Sequence, residues 1–367
     1  MPLMVPVPPA GAPPVRPVTL DAAGIPLSGL LALPARPVPR ALVVALHGSG
    51  MSAGYFDNRA RPGLSLLELG AGLGHAVLAL DRPGYGASAG ALPEGQDLAG
   101  QTATVLAALE GFAEGRELGA GVFLVAHSGG GRVALAAAGA ARGGLVPIGV
   151  DVSGIGRRFA VDAGRLPGPD LPGEWRRHWG ALRFYPPDAF RLGQGLLRPV
   201  PAIEARETRR WPEMYPAVAA GVRVPVRFTF AEQEQWWRHD GEALEELLTP
   251  LTGAPAEVAR QPHAGHNISL GWAARTYHLR VLSFLEECLL ARDVAVGRVV
   301  TGSDGDLKKV DADLTQTPLT PRTGTDEGSR EHPETCSEPS HRDTSTRSPG
   351  TRRIASIHLN PPEEERA

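Results

Sequence analysis

The chain has 367 residues, 42% of them hydrophobic, and its formal net charge at pH 7 is -3. This length is sufficient for one large core with appended segments. The small net charge gives no electrostatic reason to expect a nucleic-acid partner. No apolar run is long enough to cross a bilayer, so we expect no membrane partner. The two cysteines, Cys288 and Cys336, lack metal-ligand spacing and form no disulfide framework, so we expect no metal site.

Composition divides the chain into three regions. Residues 1 to about 16 are rich in proline and are predicted to form an irregular arm. Residues 17–291 carry the apolar runs and are predicted to form the folded domain. Residues 292–367 are polar, and we predict disorder there because they cannot bury enough apolar surface to offset chain entropy. The prolines at the start break any helical signal-peptide core, so we expect a cytoplasmic location.

Apolar strand-like runs alternate with helical segments along the predicted domain. Two runs, at 15–20 and 27–33, predict an antiparallel pair at a sheet edge. Further strands are predicted at 41–46, 76–80, 122–126, 145–152 and 224–230, and helices at 64–74, 97–112, 132–141 and 276–291. Continuous apolar strands separated by helices indicate an α/β fold, with a mostly parallel sheet and helices on both faces.

One stretch, from about 155 to 222, interrupts this alternation. An insertion at this point lies over the carboxyl ends of the strands, where open α/β sheets bind ligands. Its aromatic side chains need packing partners, so we interpret it as a helical cap rather than a mobile surface excursion. The stretch is also rich in arginine, and we interpret five of these residues as a solvated helix face rather than a subsite for an anionic substrate: Arg157, Arg158, Arg176, Arg177 and Arg183.

The sequence Val-Phe-Leu-Val-Ala-His-Ser-Gly-Gly-Gly at 122–131 predicts a strand, a sharp turn and the start of a helix, with Ser128 at the apex. Such a turn requires small residues two positions before and after the serine, and Ala126 and Gly130 meet this requirement. The helix N-terminus next to the serine favours developing negative charge. We predict that Ser128 is a nucleophile. The alternative is an ordinary strand-to-helix turn that contains a small polar residue.

A serine hydroxyl needs a base within hydrogen-bond reach, and the base needs an acid that orients it. A late loop with the sequence Gln-Pro-His-Ala-Gly-His-Asn, at 261–267, supplies two histidines. His266 is the predicted base, and His263 is the second candidate. The alternative for either residue is a solvated loop histidine.

The acid is expected after the predicted strand at 224–230. Glu234 stands three residues after the small residue Ala231, where a turn of this kind places its carboxylate, and is the predicted acid. Glu232 is a close competitor. Asp151, at the end of the preceding strand, is the third candidate, because predicted boundaries drift by about two residues. For each of them the alternative is an exposed turn carboxylate.

The oxyanion that forms during acyl transfer needs hydrogen-bond donors. One predicted donor is the backbone N–H of Gly129, directly after the nucleophile. The other is the N–H of Ser49, in the loop that follows the strand at 41–46, with Gly50 as the alternative. His47, at the start of that loop, is interpreted as structural. The turn Asp-Arg-Pro-Gly-Tyr-Gly-Ala-Ser at 81–88 is expected to shape one wall of the site.

Together these motifs resemble the α/β-hydrolase superfamily, in its capped serine hydrolase branch, over residues from about 15 to 291. The order of nucleophile, acid and histidine along the chain is that of the family. The resemblance implies the α/β-hydrolase fold, no cofactor, and the roles of nucleophile, acid and base for Ser128, Glu234 and His266. Two departures are Ala126 in place of the first glycine of the turn and a glutamate where aspartate is commoner. A serine at 128 argues against the dehalogenase and epoxide hydrolase branches, which carry aspartate there.

The resemblance implies an esterase-like serine hydrolase that cleaves a carboxylic ester of a small-molecule acyl substrate through an acyl-enzyme. A thioesterase, a lactonase or a C–C bond hydrolase with the same triad are alternatives. Fold does not imply activity, so a non-catalytic ligand-binding member of the fold is another alternative. A protein that interacts with partners through its tail is a third. The sequence leaves the oligomeric state open.

Overall fold

The computed structural model describes residues 13–166 and 175–295. Most of the predicted arm (1–12) and of the predicted tail (296–367) lies outside the described residues. The strands are β1 (Val15–Ala22), β2 (Ile25–Ala32), β3 (Leu42–Leu46), β4 (Ala76–Leu80), β5 (Val122–His127), β6 (Val150–Ser153), β7 (Val226–Gln233) and β8 (Ala256–Gly265). The helices are α1 (Leu66–Gly72), α2 (Leu98–Ala113), α3 (Gly129–Ala140), α4 (Trp175–Trp179), α5 (Pro187–Gln194), α6 (Ala202–Thr208), α7 (Trp211–Gly221), α8 (Gly241–Leu248) and α9 (Ala274–Ala295). None of these described helices is long and apolar enough to cross a membrane.

The eight strands form one sheet in the order β1-β2-β4-β3-β5-β6-β7-β8. Strands β3 to β8 are parallel to one another, whereas β2 runs antiparallel to both β1 and β4. The antiparallel pair lies at one edge of the sheet, and a tight turn with positive φ at Ala23 and Gly24 joins its strands. This mostly parallel sheet confirms the predicted fold class.

Both faces of the sheet are buried, which explains the continuous apolar runs in the sequence. In β3, Val44 and Leu46 belong to the core that includes the apolar residues of α2 and α3. Their neighbours Val43 and Ala45 belong to the opposite core, which includes the apolar residues of α1 and α9. Successive strand residues point to opposite faces, so each residue of β3 must be apolar.

Two predicted element boundaries are wrong for identifiable reasons. The strand predicted at 145–152 begins only at Val150, because Gly143–Leu145 forms a 3-10 turn and Pro147 has no N–H for a ladder. The helix predicted at 276–291 is too short at both ends, since α9 begins at Ala274 and continues to Ala295.

Two elements escaped prediction altogether. Strand β8 lies at the edge of the sheet and is half exposed over much of its length, so its sequence lacks a continuous apolar run. Helix α8 is short, and only Ala243 and Leu247 are buried in it. Both elements are packed on one side only, and this leaves a weak hydrophobic pattern.

The segment between β6 and β7 contains α4, α5, α6 and α7, with residues 167–174 outside the described part of the chain. It corresponds to the insertion predicted at about 155–222. Several of its described residues, among them Phe159, His178 and Thr208, line a cavity together with residues of the sheet loops. We refer to residues 154–225 as the inserted segment.

The carboxyl ends of β3, β5, β7 and β8 lie at the same edge of the sheet because these strands are parallel. The residues that follow these strands directly are His47, Ser128, Glu234 and His266. The topology therefore brings the predicted site residues to one edge, although they are widely separated in sequence.

Candidate active site

The structure places Ser128 at the turn between β5 and α3. Its backbone has φ 48° and ψ -118°, a conformation that residues other than glycine rarely adopt. The turn requires small neighbours: a Cβ on Gly130 would lie 2.3 Å from the carbonyl oxygen of Leu46. The Ser128 N–H donates a hydrogen bond to the carbonyl oxygen of Ser153 at 2.8 Å, which fixes the turn to β6. In this position Ser128 lines the cavity at the sheet edge.

Glu234 and His266 form a buried pair beside this cavity. Glu234 Oε2 lies 2.8 Å from His266 Nδ1, and at most 2% of either side chain is exposed. The other carboxylate oxygen accepts a hydrogen bond from the backbone N–H of Trp236 at 2.9 Å. A carboxylate that accepts a hydrogen bond from Nδ1–H selects the tautomer whose Nε2 can accept a proton. His266 also lines the cavity with Ser128, so a base and a hydroxyl share one cavity.

The competing acid Glu232 and the second candidate base, His263, lie together at the protein surface. Glu232 Oε2 accepts a hydrogen bond from the His263 backbone N–H at 2.7 Å. The His263 side chain is 82% exposed. The structure thus separates this pair from Ser128, and it gives Glu232 no contact with His266 among the described residues.

Asp151, the third candidate acid, is buried in β6 and is bonded to groups other than His266. Its carboxylate accepts hydrogen bonds from Arg227 Nε at 2.6 Å and from the Tyr277 hydroxyl at 3.1 Å. Burial raises the pKa of Asp151, although the Arg227 guanidinium opposes this shift. These partners tie β6 to β7 and α9, which is a structural role.

The loop after β3 packs against the first turn of α3. A Cβ on Gly129 would lie 3.0 Å from the backbone nitrogen of Ser49, so a glycine permits this approach. Ser49 and Gly129 both line the cavity next to Ser128. The first N–H groups of a helix have no acceptor within the helix, which leaves the Gly129 N–H available. The N–H of Gly50, the alternative donor, instead lies 3.2 Å from the Tyr85 hydroxyl and hydrogen-bonds to it.

A buried ionic cluster lies behind this loop, and the sequence analysis missed it. Its centre is Glu204 in α6, which is fully buried. Arg82 donates two hydrogen bonds to Glu204, from Nη2 to Oε1 at 2.9 Å and from Nη1 to Oε2 at 3.1 Å. The Tyr85 hydroxyl donates to Oε2 at 3.1 Å, and the Ser49 hydroxyl donates to Oε1 at 2.5 Å. Glu204 therefore connects the inserted segment to the loop that carries a predicted oxyanion donor.

The positive charges of this cluster keep Glu204 ionised. Burial raises the pKa of the Glu204 carboxyl, but the guanidinium groups of Arg82 and Arg132 outweigh burial and hold the pKa at about 2. Arg82 is itself held by hydrogen bonds to the His47 carbonyl oxygen at 2.8 Å and to Gln101 Oε1 at 2.6 Å. Arg132 approaches the carboxylate less closely, at 3.4 Å.

His47 and Asp81 have structural contacts. His47 Nε2 accepts a hydrogen bond from the Arg82 backbone N–H at 3.0 Å. Burial and the Arg82 charge lower the pKa of His47 to about 4, so this imidazole is neutral near pH 7. Asp81 accepts hydrogen bonds from the Ser28 hydroxyl and the Ala53 backbone N–H, both at 2.7 Å. Both residues therefore brace the loops around the cavity.

The cavity has an empty volume of about 510 Å³, a figure that includes open solvent at its mouth. Aromatic and apolar side chains form part of its lining: Phe159, Leu166, Trp236 and Trp237. His178 lies in the same lining, and burial together with the nearby His266 lowers the pKa of His178 to about 3. Among the described residues, no cluster of histidine, cysteine or carboxylate side chains is arranged to hold a metal ion.

A family profile described as "Alpha/beta hydrolase family" matches residues 43–277, which is more than half of the chain. The chain belongs to the alpha/beta hydrolase family. This membership confirms the predicted resemblance to the α/β-hydrolase superfamily. A search of curated proteins found no significant sequence match to this chain.

Solved structures of other family members share the fold of this chain. Proline iminopeptidase from Mycobacterium smegmatis is 15% identical and superposes with a TM-score of 0.53, over 76% of this chain and 100% of that chain. The thioesterase domain from the curacin biosynthetic pathway is 16% identical, with a TM-score of 0.51 over 73% of this chain and 99% of that chain. Est1E from Butyrivibrio proteoclasticus is 16% identical, with a TM-score of 0.50 over 75% and 99%. At these identities the likeness establishes the fold alone.

Proposed function

We propose that this member of the alpha/beta hydrolase family is a serine hydrolase that cleaves a carboxylic ester of a small molecule. The observation that carries the proposal is the buried hydrogen bond of 2.8 Å between Glu234 and His266. It supports the proposal because the histidine of this pair shares a cavity with Ser128, which stands on a strained strand-to-helix turn. A nucleophile, a base and an orienting acid are the three groups that acyl transfer by serine requires.

In the proposed first step, Ser128 Oγ attacks the ester carbonyl carbon, and His266 Nε2 takes the hydroxyl proton. The Glu234 carboxylate, hydrogen-bonded to Nδ1, stabilises the imidazolium that forms. The carbonyl oxygen becomes an oxyanion, and the N–H groups of Ser49 and Gly129 donate hydrogen bonds to it. The tetrahedral intermediate then expels the alcohol, which receives the proton from His266, and an acyl-enzyme remains on Ser128.

In the proposed second step, a water molecule attacks the carbonyl carbon of the acyl-enzyme. His266 accepts a proton from this water and returns it to Ser128 Oγ as the acyl–oxygen bond breaks. The products are the carboxylic acid and the regenerated serine. Each of these proton transfers to His266 uses the lone pair of Nε2, so the same nitrogen serves as the base in both steps.

The test is covalent labelling with a fluorophosphonate, which phosphonylates only serines activated in this way. We expect the wild-type protein to be labelled, with the modified peptide containing Ser128 by mass spectrometry, and the Ser128→Ala variant to remain unlabelled. Ser283→Ala is the matched control, because Ser283 is exposed on α9, outside the cavity. This control should label like the wild type.

Absence of labelling in a folded wild-type protein would contradict the proposal and favour a non-catalytic, ligand-binding member of the family. Circular dichroism at the same concentration establishes that the protein is folded. For a protein that does label, matched esters and thioesters of one acyl group identify the bond that it cleaves. The proposal expects the higher kcat/KM for the oxygen ester.

A further inference from the structure

Arg132 is a buried cation in the cavity that the proposed reaction does not use. It lies in α3, four residues after Ser128, which places it about one helical turn from the nucleophile. Long side chains on helices point back toward the N-terminus, here toward the serine. Arg132 is only 4% exposed, yet it lines the cavity together with Ser128 and Ser49. A full positive charge therefore stands beside the reacting groups.

The carboxylates near Arg132 are already engaged by other groups. Its one hydrogen bond within the described residues is a long contact of 3.4 Å to Glu204 Oε1. Glu204 already accepts two hydrogen bonds from Arg82, which neutralises its charge. Glu207, the other nearby carboxylate, accepts a hydrogen bond from the Leu98 backbone N–H at 2.6 Å and none from Arg132 within the described residues. Arg132 thus keeps most of its five N–H donors free.

The free donors of Arg132 are open to solvent. Every described buried side-chain atom that is sealed from solvent and lacks a hydrogen-bond partner belongs to another residue. The Arg132 nitrogens without a partner among the described residues are therefore accessible, and the side chain lines the cavity. A ligand in the cavity can accept hydrogen bonds from such donors, and an acceptor of opposite charge makes the stronger bond.

We propose that Arg132 binds a carboxylate group of the substrate, so that the natural substrates are esters of small molecules that also carry a free carboxylate. The planar guanidinium presents paired N–H groups that match the two oxygens of a carboxylate. The aromatic part of the cavity, with Phe159, Trp236 and Trp237, accommodates the apolar remainder of the molecule. Because Arg132 is one turn from Ser128, the carboxylate lies a few bonds from the ester. This inference rests on the proposed ester hydrolysis.

Two matched pairs of esters test the inference, each pair differing only in a carboxylate that a neutral carboxamide replaces. The carboxylate is on the acyl side in 4-nitrophenyl hydrogen glutarate, whose neutral partner is the glutaramate ester. It is on the alcohol side in 4-acetoxybenzoate, whose neutral partner is 4-acetoxybenzamide. For the wild type we expect kcat/KM to favour the carboxylate in at least one pair by about 10- to 100-fold, as for a hydrogen bond to a charged group.

Variants of Arg132 assign this preference to its side chain. In Arg132→Gln, the ratio of kcat/KM within the favoured pair should fall to near one. In Arg132→Lys, which keeps the charge but loses the planar pair of donors, the ratio should be intermediate. Arg142→Gln is the matched control, since Arg142 is exposed just after α3 and outside the cavity, and it should keep the wild-type ratio. A wild-type ratio near one in both pairs, or an unchanged ratio in Arg132→Gln, overturns the inference.

Calorimetry with the Ser128→Ala variant separates this inference from the proposed function. This variant cannot form the acyl-enzyme, so binding of the intact esters can be measured. Tighter binding of the carboxylate ester by at least about 10-fold, lost in the double variant with Arg132→Gln, supports the inference even if the wild type hydrolyses nothing. Equal binding of both members of each pair overturns it, even if the wild type hydrolyses both. If the Arg132 variants do not fold, wild-type ratios near one in both pairs still overturn the inference.

Discussion

The cluster around Glu204 makes a strong prediction about stability. The side chains of Glu204 and Arg82 are at most 1% exposed, so water does not screen their interaction. Glutamine at 204 keeps the shape of the side chain but removes its charge, and its NH2 group replaces an acceptor with a donor. Arg82 would then lose one of its two hydrogen bonds to this side chain and remain buried without a counter-ion. We expect Glu204→Gln to lower the free energy of unfolding by about 3–5 kcal/mol, as for a broken buried ion pair.

A double-mutant cycle measures how much of this loss belongs to the pair. Arg82→Gln should also be strongly destabilising, because among the described residues it leaves the Glu204 carboxylate with the longer ion pair to Arg132, at 3.4 Å. The double variant removes both charges, so its loss should be smaller than the sum of the two single losses by about 1–3 kcal/mol. Urea unfolding at pH 7.5, followed by far-UV circular dichroism, gives all four free energies.

An exposed ion pair provides the control. Glu242 pairs with Arg158 at the surface at 3.0 Å, and the Glu242 side chain is 66% exposed. Glu242→Gln should cost less than about 1 kcal/mol, because water screens such a pair. If Glu204→Gln costs no more than this control, burial does not strengthen the cluster, and the reasoning is refuted.

The two remaining predictions concern the acid of the site and the effect of pH. Glu234→Gln should lower kcat for cleavage of a 4-nitrophenyl ester by about 10²- to 10⁴-fold with little change in fold, because the amide cannot stabilise the imidazolium of His266. An unchanged kcat would remove Glu234 from the mechanism. Burial lowers the pKa of His278 to about 3 from 6.5, so its contribution to stability is complete above pH 6.5 and is lost as the pH falls toward 3. When the pH falls from 7.5 to 5.5, the free energy of unfolding measured in urea should decrease by about 1 kcal/mol more for the wild type than for His278→Gln. Equal decreases in the two proteins would show that His278 is not held neutral.

The elements that could be predicted from the sequence are those buried on both faces of the sheet. Strand β4 was predicted at 76–80 and lies there in the structure, because every residue of it is buried and apolar. Strand β8 was missed because the same physical signal is absent at an exposed edge. The prediction of the fold succeeded because the central strands alone determine the alternation of strands and helices.

The predicted site residues share a different property, which is that each follows the end of a parallel strand. Ser128, Glu234 and His266 stand directly after β5, β7 and β8. Their proximity follows from the backbone topology, which the alternating pattern already implies. The sequence could not choose among Glu234, Glu232 and Asp151, because that choice depends on the directions of the side chains. Glu232 and Glu234 are two residues apart at the end of β7, and a shift of two residues does not alter the hydrophobic pattern.

The residues that the sequence could not predict are those whose partners lie far away in the chain. Glu204 and Arg82 are 122 residues apart, and their pairing depends on how the inserted segment packs against a sheet loop. In the sequence, Glu204 stands in the polar run Ala-Ile-Glu-Ala-Arg-Glu-Thr, which looks like a solvated helix surface. Nothing local distinguishes a buried glutamate in such a run from an exposed one.

The sequence also could not predict which arginine brings positive charge to the cavity. The sequence drew attention to arginines of the inserted segment, and of these Arg158 pairs with Glu242 and Glu246 at the surface. The cation that reaches the cavity is Arg132, on the helix that begins directly after the nucleophile. The spacing of four residues along one helix fixes Arg132 relative to Ser128, independently of how the inserted segment folds. A preference for substrate carboxylates based on Arg132 would therefore persist in variants that alter only the surface arginines of the inserted segment.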